Sequence, residues 1–161
     1  MAEKKRDTLK IAVLSDTHDV LHPEVLSLLP GCDAILHAGD VCGQSVLDRL
    51  ARIAPLYAVR GNNDWSLDRL SVQLVFRLGG LRFCMAHRRQ DLPPNLENYD
   101  VAVFGHSHQY TEEYLPSPSG KTTLLLNPGS CGPGWFMQYV TLAMLTVGPE
   151  GPKAERIDIR L

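Results

Sequence analysis

The stretch that decides the fold is residues 10–19, KIAVLSDTHD. Its first half, Ile11-Ala12-Val13-Leu14, is an apolar run of the length of a buried strand. Its second half switches to Ser15-Asp16-Thr17-His18-Asp19. The switch leaves Asp16 and His18 two residues apart at the carboxyl end of a predicted central strand. In open α/β sheets that edge is where ligands sit. Carboxylate and neutral imidazole both ligate divalent transition metals. Asp-x-His is a common tripeptide, so the reading depends on whether other strands end in matching residues.

Four more do. Ala34-Ile35-Leu36 runs into His37-Ala38-Gly39-Asp40, and residues 56–60 run into Gly61-Asn62-Asn63-Asp64. Residues 81–86 end at His87, and residues 101–104 end in Gly105-His106-Ser107-His108. Helical patterns separate the first strands. A short one opens at Pro23, carries Val25, Leu26, Leu28 and Leu29, and closes at Pro30-Gly31. A second covers 43–53, with Val46, Leu47 and Leu50 at helical spacing. Three strand–loop–helix units in succession predict a largely parallel sheet with right-handed crossovers. The second half predicts antiparallel β. Strands 73–78 and 81–86 flank Gly79-Gly80, strands 110–115 and 122–127 flank a turn at 116–120, and strands 138–147 and 154–160 flank 148–152. Asn127-Pro128-Gly129-Ser130 is turn chemistry. The expected fold is α/β, with two facing mixed β-sheets flanked by helices. It forms a single domain over 9–161 behind a flexible tail at 1–8.

Composition bounds the function. With 161 residues, 44% of them apolar, a proper core is available. A net charge of -2 gives no nucleic-acid footprint and no polybasic membrane patch. No apolar run approaches the ~20 residues needed to span a bilayer. The charged start MAEKKRDTLK lacks an apolar leader, so a cytoplasmic location is expected. Cys32, Cys42, Cys84 and Cys131 form no CxxC pair and read as reduced thiols, mostly small core fillers.

The residues just past the strand ends are Asp16, His18, Asp40, Asn62, His87, His106 and His108. They are too many for one tetrahedral zinc site. They suit two ions ~3.5–4 Å apart that share a carboxylate, hold a hydroxide and clamp a phosphoryl group. Imidazole with carboxylate favours Mn, Fe, Co, Ni or Zn over Mg or Ca, which prefer all-oxygen shells. His37 and Asp64 are expected to support ligands without ligating, and Asp19 to make a turn or cap. His22 is expected in solvent; Trp65 and Trp135 are read either as lining a substrate cleft or as aromatic core, with core favoured. Ser130 has no base beside it in sequence, which argues against a serine nucleophile.

The ordered series Asp16-x-His18, Gly39-Asp40, Gly61-Asn62-x-Asp64, His87 and Gly105-His106-x-His108 resembles the calcineurin-like metallophosphoesterase superfamily. The small size, the early GNxD and the NPGS run resemble its compact bacterial and archaeal phosphodiesterase branch. The resemblance implies an αββα sandwich. It implies that Asp16, His18 and His108 hold the first ion, that Asn62, His87 and His106 hold the second, and that Asp40 bridges them. It further implies a dinuclear-metal phosphoesterase, manganese favoured, that cleaves phosphodiesters with a metal-bridged hydroxide. Asp40, Asn62, Asn63, His106 and His108 would lie nearest the reacting phosphate.

Two departures stand out. Asn63 occupies the place of a leaving-group histidine in the wider superfamily, often a cysteine in the compact branch. An amide can hydrogen-bond a phosphate oxygen but is no general acid at neutral pH. Arg88-Arg89 follows His87 where the family usually has Gly-His; the pair reads either as a phosphate contact or as a solvated surface.

The expected partner is a small-molecule phosphoester, with a homo-oligomer left open. One alternative is a non-catalytic interaction scaffold of the same fold, as in the retromer-associated relatives whose metal histidines are eroded. Another is a phosphomonoesterase or protein phosphatase, which would want more inserted loops. Retention of every ligand histidine favours catalysis.

Overall fold

The computed structural model describes residues 8–133 and 139–161. The expected tail up to residue 7, the start of a strand at 138 and the core position of Trp135 therefore lie outside the described residues. The first part of the chain runs β1 (Leu9–Leu14), α1 (Pro23–Leu26), β2 (Ala34–His37), α2 (Gln44–Ala51) and β3 (Leu56–Ala58). It continues through β4 (Gln73–Leu78), β5 (Leu81–Ala86), β6 (Val101–Val103), β7 (Thr111–Pro116), β8 (Thr122–Asn127), β9 (Tyr139–Gly148) and β10 (Gly151–Arg160).

These strands build two five-stranded mixed sheets, ordered β10-β9-β1-β2-β3 and β4-β5-β6-β8-β7. In the first, β1, β2 and β3 are parallel, with Ile11 beside Ala34 and Ile35 beside Leu56. The last hairpin joins this sheet, with β9 antiparallel to β1. The alternation along β1 shows why its sequence is apolar without a break. Ala12 and Leu14 pack outward with Val25, Leu29, Val46 and Leu50 beneath the helices. Ile11 and Val13 pack inward with Phe83, Met85, Val103 and Leu126 of the other sheet. A strand covered on both faces has no polar side to alternate with.

Two expectations about topology need correction. The second half is not purely antiparallel, because β5, β6 and β8 run parallel, with Cys84 beside Ala102 and Ala102 beside Leu125. The crossover from β5 to β6 carries two single-turn 3-10 helices, Arg89–Asp91 and Leu96–Asn98. Pro93-Pro94 between them denies backbone donors to a longer helix. These turns, with Leu92, Leu96 and Tyr99, cover the outer face of the second sheet formed by Cys84, Ala102 and Leu125. The third strand is also not followed by a helix. The chain leaves β3 through successive turns closed by Asp64, Leu67 and Leu70 amides and crosses to the second sheet at β4. Among the described residues, no helix is long and apolar enough to cross a membrane.

Candidate metal centre

The loops after β1, β2, β5 and β6 are stitched to one another by backbone donors. The Asp16 amide donates to the Gly39 carbonyl at 2.9 Å, and the His18 amide to the Asp40 carbonyl at 3.0 Å. The Gly105 amide donates to the His87 carbonyl at 2.8 Å. The His106 amide donates across the two sheets to Asp16 Oδ2 at 3.2 Å. The carboxyl ends of strands from both sheets thereby meet in one place. Two glycines are fixed by this closeness. A Cβ on Gly61 would collide with the Asp40 backbone and carboxylate, and one on Gly105 with the Ser15 hydroxyl.

The backbone is strained where the candidate ligands lie. Asp16, His18, Asp40, His106 and His108 have φ of 57°, 47°, 55°, 71° and 61°. Among the described non-glycine residues, the others with positive φ are Asp19 and Cys42, beside them in sequence. Left-handed backbone outside glycine costs roughly 1–2 kcal/mol per residue, least for Asp, Asn and His. Such strain clusters where function holds it in place.

The donor atoms form two overlapping groups: Asp16, His18 and His108, and Asp16, Asp40 and His87. Asp16 Oδ1 stands 3.4 Å from His108 Nε2, 3.8 Å from His87 Nε2 and 3.9 Å from His18 Nε2. Asp40 Oδ2 stands 3.4 Å from His87 Nε2 and 3.7 Å from His18 Nε2. Atoms bound to one ion at ordinary ligand distances are about 3–3.5 Å from each other. Asp16 Oδ1 is buried and accepts no hydrogen bond, although its partner Oδ2 takes the Ser15 hydroxyl at 2.7 Å. A buried carboxylate oxygen without a donor costs more than about 1–3 kcal/mol. A cation among these imidazoles removes that cost, so the residues fit divalent ions.

Hydrogen bonds behind the donors set their protonation. His87 Nδ1 donates to the Ala38 carbonyl at 2.8 Å, which turns the lone pair of Nε2 toward the carboxylates. His37 is locked neutral. Its Nδ1 accepts the Gly39 amide at 3.2 Å, so Nε2 carries the proton and donates to Thr17 Oγ1 at 2.9 Å. That hydroxyl in turn donates a hydrogen bond to the Val41 carbonyl at 3.2 Å. Burial holds the His37 pKa down at about 4. The same burial pushes His87 downward, but the Asp40 and Asp16 carboxylates outweigh it and raise its pKa. His108 is raised by its contact with Asp16, against partial burial. Burial would lift Asp40, yet His87 and Asn63 hold it well below the usual carboxylate range.

Asp64 and Asn63 act on the loops. Asp64 is buried, and its two oxygens accept the Cys42 and Gly61 amides, each at 2.7 Å. Asn63 gives its backbone amide to Asp40 Oδ1 at 2.9 Å and its side-chain amide to Asp40 Oδ2 at 2.8 Å. Asn62 is exposed and lines a cleft that His87 also lines. His106 is exposed, its Nδ1 3.3 Å from His87 Nε2. Arg88 lines the same cleft and pairs with Asp91 at 3.1 Å, while Arg89 is exposed.

Several readings change. Trp65 is not core: it is 81% exposed. His22 is half-buried, its Nε2 donating to the Gly132 carbonyl at 3.0 Å. Cys42 is no core filler but lies with its sulfur 3.7 Å from His18 Nδ1. Asn127, read as part of a turn, is buried and donates to the Gly105 carbonyl at 3.1 Å and Ser107 Oγ at 2.9 Å, bracing the loop of His106 and His108. Ser130 donates to the Asp16 carbonyl at 3.3 Å. Only the NPGS run hinted at that bracing.

Comparison with known proteins bears on this geometry. The family described as the calcineurin-like phosphoesterase superfamily domain matches residues 9–150. A probable metallophosphoesterase of Methanocaldococcus jannaschii is 31% identical over 136 residues, covering 76% of this chain and 68% of that protein. Another, from Methanothermobacter thermautotrophicus, is 31% identical over 135 residues, covering 74% of this chain and 76% of that protein. Among solved structures, Vps29 of Chaetomium thermophilum has a TM-score of 0.69 at 18% identity, covering 94% of this chain and 98% of its own. Vps29 of Entamoeba histolytica complexed with zinc has a TM-score of 0.61 at 22% identity, covering 93% and 99%. At those identities the structural likeness is one of fold. By its matched motifs and its archaeal relatives, the chain belongs to the calcineurin-like phosphoesterase superfamily.

Proposed function

We propose that the chain is a phosphodiesterase dependent on two divalent transition ions, manganese foremost, held by Asp16, His18, Asp40, Asn62, His87, His106 and His108. The observation that carries the reading is Asp16 Oδ1, buried without a donor and facing three imidazole nitrogens at 3.4–3.9 Å. When bound, such ions supply Lewis acidity toward phosphoryl oxygens and make water acidic enough to attack phosphorus. The chain's own residues orient that chemistry. Asp16 and Asp40 stand between the histidines and offset the added positive charge. Ala38 fixes the His87 tautomer through its carbonyl. His106 and His108, exposed at the mouth, meet the phosphoryl group. Asn63 steadies Asp40 and leaves no proton donor at its position. Buried thiols at Cys32, Cys84 and Cys131 suit a reducing, cytoplasmic setting. The scaffold reading is the weaker one, because it gives the strained, donor-rich loops nothing to do.

The test is hydrolysis of bis(p-nitrophenyl) phosphate and p-nitrophenyl phosphate by metal-stripped protein reconstituted with Mn²⁺. The diester should be cleaved faster, with activity lost on chelation and in Asp16→Ala. Hydrolysis of neither ester under saturating Mn²⁺ would reject the enzyme reading in favour of a scaffold.

A further inference from the structure

We infer that the cleft beside the metal centre is a subsite for a planar heteroaromatic group. The site would then take nucleotide-type phosphoesters, with the base stacked on Trp65. This rests on the phosphoester reading above and deepens it.

The cleft encloses about 520 Å³, within the range of small-ligand sites. His87 and Asn62 line it, and so do Trp65, Val72, Arg60 and Arg88. A ligand with its phosphate near His87 therefore has the indole within reach of its organic part. Trp65 is 81% exposed and Val72 53%, so the cleft wall offers a flat aromatic face that a ligand can cover. The loop that carries Trp65 is held firmly from behind. The preceding residue, Asp64, is tied to the Gly61 and Cys42 amides, so the indole is anchored to the same loops as Asn62 and Asp40.

Each guanidinium uses one N–H on the protein. Arg60 Nε donates to the Asp64 carbonyl at 3.1 Å, and Arg88 Nε to Asp91 at 3.1 Å. The other donors of each planar fork suit a phosphate oxygen or a polar base edge. An apolar peptide would meet these two charges within its footprint, whereas a nucleotide matches both the flat apolar face and the cationic wall.

The test uses Mn²⁺-loaded protein and two probes, adenosine 5′-monophosphate and ribose 5-phosphate, titrated by calorimetry. They share the phosphate and sugar and differ in the base. Base stacking predicts that the nucleotide binds roughly five- to hundredfold more tightly. In Trp65→Ala the two should bind within about twofold of each other, with ribose 5-phosphate unchanged, and Trp65→Phe should restore much of the preference. Because Trp65 is exposed, its removal leaves the core intact. Equal binding of both probes to the wild type, or a preference that survives Trp65→Ala, overturns the subsite and leaves the phosphoester reading standing. Binding of neither probe overturns the phosphoester reading, and the subsite with it.

Discussion

Asp16 Oδ1 belongs to both donor groups, whereas His108 belongs to one. Removing the carboxylate and removing the imidazole should therefore differ. Asp16→Ala is expected to lose both ions and at least a hundredfold in rate, about 2.7 kcal/mol of barrier. His108→Ala is expected to keep one ion. Elemental analysis after gel filtration checks this, and two retained ions in Asp16→Ala would show that Asp16 is not shared between the ions beside the bridging Asp40. Asn63 makes a separate prediction. Its amide is spent on Asp40 and cannot protonate a leaving oxygen. General acid catalysis is worth ~10²–10⁴-fold, so alkyl phosphodiesters should be slow while aryl ones lose little. Asn63→His should rescue the alkyl esters selectively. A flat dependence on leaving-group pKa in the wild type would mean that another acid operates. At this scale the residue types that gather past the strand ends, and their order, were legible, because each follows a strand end in a short motif. The exposure of Trp65, the placement of Cys42 and the left-handed backbone at the ligands were not. They depend on which loop passes which, and local sequence does not encode that.

The loops after β1 and β2 are tied to each other through His37 and Thr17, and this has a pH signature. The folded pKa of His37 is depressed to about 4, below its unfolded value of ~6.5. A depressed base takes its proton in the unfolded chain first. Its contribution to stability is whole above pH ~6.5 and is lost as pH falls toward about 4. The stability gap between wild type and His37→Gln should accordingly narrow through that window, by up to about 1.4 kcal/mol per pH unit. Denaturant melts of both Mn²⁺-loaded proteins from pH 8 to 4.5 measure it, and a constant gap would show that the ring takes up a proton within the fold. Elements themselves were well marked. Gly79-Gly80 fixed the β4–β5 hairpin to the residue, since a tight turn sets register. The absent third helix was less visible. Asp64 captures the Gly61 and Cys42 amides and directs the chain into turns, a choice made by a contact with another loop.

At the scale of the molecule, two mixed sheets bring five strand ends together, and every candidate ligand follows one of them. The donor atoms of Asp16, His18, Asp40, His87 and His108 fall into the two close groups, while Asn62 and His106 border them. The α/β front half could be read from alternating strand and helix patterns. The parallel pairing of β5, β6 and β8 could not, because strand direction within a sheet follows from long-range crossovers rather than from periodicity. The account depends on the convergence of both sheets on a pair of ions shared by carboxylates. The most direct measurement is anomalous scattering at the manganese edge from crystals of the Mn²⁺-loaded protein. Two peaks about 3.5–4 Å apart, bounded by Asp16, His18, Asp40, Asn62, His87, His106 and His108, are the predicted result. No peak among these residues, or a single peak under saturating Mn²⁺, would contradict it.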